Sequence, residues 1–202
     1  MSINPGTGEV ITSPAPSSVQ DRLKRAWSDY KYLLQKYPVY TKAVTSAVIS
    51  VIGEVIGGYI KAKQNGKKFV IQPNRLVMFG TFGLVITGPF LHYWYVVLEY
   101  VLNVHLKVTG RTKTLIKLLF DRLIWGPPFT LLSIAYLQLW QSLSFHQTWM
   151  QIKRLYWTTF VASQKCWIPG QLINFECVPQ DYQVLFVNVV ATGWNTYLSL
   201  TQ

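Results

Sequence analysis

Charge is what this chain has least of. Only 13% of its 202 residues are Asp, Glu, Lys or Arg, about half of the roughly 25% usual in soluble domains. A globule of this size would have too little charge to cover its surface, which argues against an ordinary soluble domain. Acidic groups are the scarcest, eight against nineteen Lys and Arg, for a formal net charge of +11. Cysteine is nearly absent. Cys166 and Cys177 make no disulfide framework, and no Cys/His spacing suits zinc, so two buried free thiols and no metal site are expected. Residues 1–20 contain no Lys or Arg. They therefore lack the basic start and apolar middle of a secretory signal and the arginines of a transit peptide, and read as a mobile polar tail.

What is present is apolar and aromatic. Hydrophobic residues make up 50% of the chain, which excludes intrinsic disorder. The excess of basic groups first suggests nucleic acid, but Lys and Arg lie between long apolar runs and form no stripe. Nucleic acid is therefore excluded as a partner. Trp and Tyr cluster inside and at the ends of those runs, where a bilayer interface selects them. The chain reads as an all-α integral membrane bundle with a lipid bilayer as its first partner. About four spans are expected, at 43–60, 76–98, 123–140 and 182–202, within one membrane domain covering 21–202. An amphipathic helix over 21–36 precedes them, suited to lying in the membrane interface and ended by Tyr37-Pro38. A further helix over 155–175 is either a partial span or interfacial. No internal repeat shows at a fixed period.

Each span carries one narrow polar or small face. In the first, Ala43, Ser46, Ala47, Ser50, Gly53, Glu54, Gly57 and Gly58 share an arc, and Gly53 and Gly57 have the spacing that lets helix backbones approach. A carboxylate at mid-span avoids lipid, so Glu54 either pairs with a base or lines an aqueous path. In the second, Thr81, Gly88, His92, Tyr95 and Glu99 share a face, and Pro89 should kink the helix. The third opens on Asp121-Arg122, with Asp121 expected to pair with a base on a neighbouring helix. Its Gly126-Pro127-Pro128 should break regular helix. In the last, Asn188, Ala191, Thr192, Asn195 and Ser199 make a stripe. Such stripes either hydrogen-bond a neighbour or face water. The connections are basic: Lys61, Lys63, Lys67, Lys68 and Arg75 fill one loop, and Lys107, Arg111, Lys113 and Lys117 another. Topology, headgroup contact or a targeting address are ordinary uses for such loops.

Several of these motifs together resemble the peroxisomal membrane protein 2 family, which also includes small inner-mitochondrial membrane proteins. Tyr37-Pro38 with Thr41-Lys42 and Gly53-Glu54 is similar to its opening. Gly88 to Tyr95, with Pro89 and His92, is similar to its Gly-Pro-x-x-His-x-aromatic-Tyr motif. Lys117 with Asp121-Arg122 is similar to the start of its third span. Trp167, Pro169, Gln171, Asn174, Phe175, Val178 and Pro179 match its Trp-x-Pro-x-Gln-x-x-Asn-Phe-x-x-Val-Pro signature, and Trp194, Tyr197, Leu198 and Ser199 its ending. Glu54 stands where the family often has Asp or Asn.

The resemblance implies a multi-pass protein of the peroxisomal membrane, or alternatively of the mitochondrial inner membrane. It implies a pore for passive diffusion of small, mostly anionic metabolites; the alternative is a structural or assembly protein with no open pore. Glu54, His92, Tyr95, Asn188 and Asn195 are the lining candidates. Gly88, Pro89, Asp121, Arg122, Trp167, Pro169, Gln171, Asn174, Pro179 and Trp194 are structural positions. Passive diffusion needs neither a cofactor nor catalytic residues, so no enzyme activity is expected. The implied partners are the bilayer and small-molecule solutes, with a homo-oligomer left open.

Overall fold

A computed structural model describes residues 2–3, 10–11, 18–142 and 144–201, and the side chains of 18–140 and 144–193. The chain divides into two compact units, Met1–Tyr37 and Pro38–Gln202, so the bundle begins at Pro38 and the amphipathic helix belongs to a unit of its own. In the first unit a two-residue strand β1 (Ser2–Ile3) pairs antiparallel with β2 (Val10–Ile11). The expected polar tail otherwise lies outside the described residues. Helix α1 runs Val19–Lys36, two residues earlier than Asp21, because Ser18 caps it. The Ser18 hydroxyl accepts the Asp21 amide at 3.2 Å, satisfying a donor that the first turn leaves unpaired. Leu23 and Trp27 stay exposed on its apolar stripe. Trp27 stacks on Tyr30 with ring centroids 5.7 Å apart.

The second unit is entirely helical among its described residues. It starts with α2 (Pro38–Gln64), where Pro38 occupies a position whose amide would be unpaired anyway. Next, α3 (Pro73–Thr81), a π-helical turn (Phe82–Thr87), α4 (Gly88–Tyr100) and a second π turn (Val101–His105) form a continuous rod of 33 residues. After a short linker with left-handed Lys107 and Gly110, α5 (Gly110–Phe120), a π turn (Asp121–Trp125) and α6 (Gly126–Ser142) form another. Helix α7 (Phe145–Cys177) is unbroken over 33 residues, with Pro169 inside it. A 3₁₀ turn at Gln180–Tyr182 leads into α8 (Gln183–Thr201). The segment 155–175 is thus part of one long helix.

Neither proline site interrupts a rod. In both, a π turn stands directly before the Gly-Pro, at Gly88-Pro89 and at Gly126-Pro127-Pro128. The wide i→i+5 turn absorbs the misfit of a ring that would otherwise clash with the preceding turn. Tyrosine hydroxyls also tie neighbouring helices to the backbone of these rods. The Tyr136 hydroxyl donates to the Met78 carbonyl at 3.0 Å, and the Tyr156 hydroxyl reaches the Pro127 carbonyl at 3.4 Å. The two rods therefore share one plan, a repeat of shape that no residue period announces.

The bundle is inverted relative to a soluble domain. Val44, Val48, Ile52 and Ile56 form an exposed row down α2, while Ser46, Gln171, Asn174, Asn188 and Asp121 are almost fully buried. Apolar outside and polar inside is the pattern a bilayer solvent imposes. The helices Pro38–Gln64 and Pro73–His105 are each long and apolar enough to cross a membrane. The fold is an all-α membrane bundle. Its apolar core joins Leu91, Tyr95, Leu98 and Leu102 to Phe175, Val184 and Val187. The most extensive packing is between α2 and α8. Both thiols are free, as expected, but not both buried: Cys166 is half-buried and Cys177, at the end of α7, is exposed.

Candidate functional site

The small face of α2 draws its neighbours in. A methyl group on Gly83 would lie 2.5 Å from the Ser46 carbonyl oxygen, and one on Gly88 2.8 Å from the Ala43 nitrogen, so both glycines rest directly on the α2 backbone. They are five residues apart, one π turn, which puts both on the same side of the rod. On its other flank α2 meets α8: the Asn188 amide donates to the Ser46 hydroxyl at 2.7 Å, and Thr192 packs on Gly53. Beyond these contacts the helices part around a cavity of about 240 Å³.

Each rod and each long helix of the second unit contributes to this cavity. Ser50 comes from α2, Thr87 from the first π turn, Thr130 and Ser133 from α6, Thr159 and Ser163 from α7, and Asn188 and Thr192 from α8. Phe82, Phe129 and Trp125 supply aromatic walls, and among the described residues Arg122 is the only charged side chain lining it. Arg122 is neutralised on the spot. Its Nε donates to Asp121 Oδ2 at 2.9 Å, and its guanidinium lies over Trp167 at 5.8 Å. The expected partner on a neighbouring helix is therefore corrected. The base that holds Asp121 is the next residue, while the neighbouring α4 offers the Trp94 indole N–H at 2.9 Å. The π turn over Asp121–Trp125 lets two consecutive side chains converge.

Below Arg122 the polar groups are closed on one another. Gln171 donates to the Tyr95 hydroxyl at 3.0 Å, and Asn174 donates to Gln171 at 2.8 Å. Tyr95, Gln171 and Asn174 are all nearly inaccessible. Further along, Glu99 is ion-paired with Lys113 and Lys117 and accepts from Asn103 at 3.2 Å.

A second, wider hollow of about 800 Å³ opens beside the first. Four cations line it, Lys61, Lys67, Lys68 and Arg75, against one carboxylate, Glu54. Glu54 lines this hollow, the vestibule, and pairs with Arg75 at 2.6 Å, the first of its two expected roles. The two hollows share Gly53, Phe79, Ile134, Leu137 and Thr159 as lining.

The lining candidates separate accordingly. Asn188 faces the inner cavity and Glu54 the vestibule. Tyr95 and His92 line neither: the Tyr95 hydroxyl is enclosed by amides, and His92 Nδ1 stands 3.3 Å from Lys42 Nζ. The π turn shifts Thr81 in phase against Gly88, His92 and Tyr95, which share α4 and face neighbouring groups instead of either hollow. The side chains of Asn195 and Trp194 lie outside the described residues. Of the basic loop, Lys61, Lys67 and Lys68 reach the vestibule, and Lys63 does not. Thr159 and Ser163 were missed as lining residues. Their signal was a run of Thr159, Ser163, Trp167, Gln171 and Asn174 at steps of four, four, four and three, in a segment whose helix had been left open.

Residues 138–199 match the Mpv17 / PMP22 family. The chain is 32% identical over 181 residues to peroxisomal membrane protein 2 of Bos taurus, covering 87% of this chain and 89% of the bovine one. It is 30% identical over 178 residues to PXMP2/4 family protein 4 of Dictyostelium discoideum, covering 88% and 93%. It is also 28% identical over 168 residues to the mitochondrial inner membrane protein Mpv17 of Drosophila melanogaster, covering 83% and 98%. No solved structure matches. Nearly full-length similarity, the inverted packing and the signature residues gathered around Gln171 and Asn174 lead to one conclusion: this chain is a membrane protein of the Mpv17 / PMP22 family.

Proposed function

We propose that the protein is a pore for passive diffusion of small, mainly anionic solutes across an organelle membrane. What supports this reading is the adjacency of the basic vestibule and an inner cavity carrying hydroxyls and amides, which have five lining residues in common. Four cations at a mouth walled by low-dielectric protein raise the local concentration of anions. Hydroxyls and an amide then replace part of the hydration shell, and Arg122, already paired with Asp121, does not trap the solute. Weak, distributed contacts of this kind suit passage better than tight binding. No covalent step is required, and none is proposed. The peroxisomal membrane is the proposed location, on the similarity to the bovine peroxisomal protein, with the mitochondrial inner membrane of the fly relative as the alternative.

One feature favours the other reading, an assembly protein without a pore: the mutual closure of Tyr95, Gln171 and Asn174, which begins at the cavity wall with Gln171. Flux in liposomes holding the purified protein decides between them, using anionic and neutral tracers of graded size. A size cutoff, with flux altered by Asn188→Ala, supports the pore. No flux from folded, inserted protein supports the assembly role.

A further inference from the structure

The cavity and the vestibule have five lining residues in common: Phe79 from α3, Ile134 and Leu137 from α6, Gly53 of α2 and Thr159 of α7. Four helices thus contribute to this shared ring of residues, and its bulk comes from three large apolar side chains. A hydrophobic constriction between two hollows can close by excluding water, without physical occlusion. Phe79 is half-buried in this ring, and it is tethered. Arg75 lies one turn earlier on the same face of α3, with its guanidinium over the Phe79 ring at 6.0 Å. The same guanidinium pairs with Glu54 of α2. Arg75 is half-exposed to the vestibule, so an anion drawn there by Lys61, Lys67 and Lys68 meets Arg75 before it meets the ring.

We infer that Phe79, Ile134 and Leu137 form a hydrophobic gate, and that the Glu54–Arg75 pair is its anion-sensitive latch. An anion entering the vestibule competes with Glu54 for Arg75. When Arg75 turns to the anion it leaves Phe79, and the ring can rotate out of the constriction. The same group that attracts the solute would thereby admit it, and the apolar ring sets the size that passes. This inference rests on the proposed pore for its physiological meaning, but the gate itself can be tested without transport.

The test uses full-length protein in liposomes, with Cys166→Ser and Cys177→Ser to remove the free thiols. Ser133→Cys places a reporter in the inner cavity, and Asn65→Cys places a control in the vestibule. Both are probed with a membrane-impermeant thiol reagent. Phe79→Ala should speed modification at 133 by about tenfold, the effect of lowering a permeation barrier by one such step, and leave the control rate at 65 unchanged. Phe79→Leu should give a smaller increase, which guards against a variant that fails to fold. In the wild type added sulfate should speed modification at 133; Arg75→Gln and Glu54→Gln should each raise access there and abolish that dependence. The exchanged pair, Glu54→Arg with Arg75→Glu, should restore slow access. Equal rates at 133 in wild type, Phe79→Ala and Arg75→Gln, with a normal control at 65, would overturn the gate. Gated access at 133 with no tracer flux would leave the gate standing and remove the pore.

Discussion

Buried polar side chains hold this protein together one residue at a time. The Tyr95 hydroxyl accepts from Gln171 at 3.0 Å and from Asn174 at 3.4 Å. Removing it leaves two buried amides short of an acceptor, and neither lipid nor the core can replace it. Tyr95→Phe should therefore lower stability by about 1–2 kcal/mol, at the upper end of what interhelical hydrogen bonds supply in membranes. The check is a lower thermal midpoint in detergent together with a shift in flux, since the freed Gln171 lines the cavity. Ser46→Ala should do the same through Asn188, which also lines the cavity.

Among the elements, the decisive device is the π turn before each Gly-Pro. It keeps a proline-bearing rod continuous and turns Gly83 and Gly88 onto α2. The two Gly-Pro sites, alike in shape, differ in what faces them. A methyl on Gly88 would collide with the α2 backbone at Ala43, whereas on Gly126 it would meet Asp121 and Phe160 at ordinary contact distances of 3.4–3.5 Å. Gly88→Ala should thus cost about 1–3 kcal/mol or more through forced backbone separation, and Gly126→Ala should be near neutral. Thermal unfolding of the two variants side by side tests this, and equal midpoints would show that the α2 contact is looser than the structure has it.

At the scale of the molecule, part of the loop charge that looked like topology in the sequence, Lys61, Lys67, Lys68 and Arg75, lines one hollow. Neutralising Lys61, Lys67 and Lys68 together to Gln should lower the ratio of anionic to neutral tracer flux while leaving neutral flux and the size cutoff as they were. Raising salt should do the same to the wild type, because the screening length falls from roughly 30 Å at 0.01 M to about 3 Å at 1 M. An unchanged ratio in both experiments would return these lysines to topology or lipid contact.

The membrane class, the helical fold and the family were legible in the chain itself. Low charge, apolar runs and signature spacings such as Trp167 to Pro179 are local properties, fixed by which residues stand near one another in sequence. The small face of α2 was also legible, because an uninterrupted helix preserves its phase. The surroundings of His92 and Tyr95 and the partner of Asp121 were not. Each depends on which side chains the packed helices bring to that face, which no residue period carries. The adjacency of Arg75, Phe79 and Glu54 to a wall built by α6 and α7 was likewise invisible, because helices remote in sequence meet only when their polar faces pack. What the chain determined alone is that it buries polarity and shows lipid its apolar side. Where that buried polarity opens into a cavity, and where it closes on itself, was decided by the packing of the bundle.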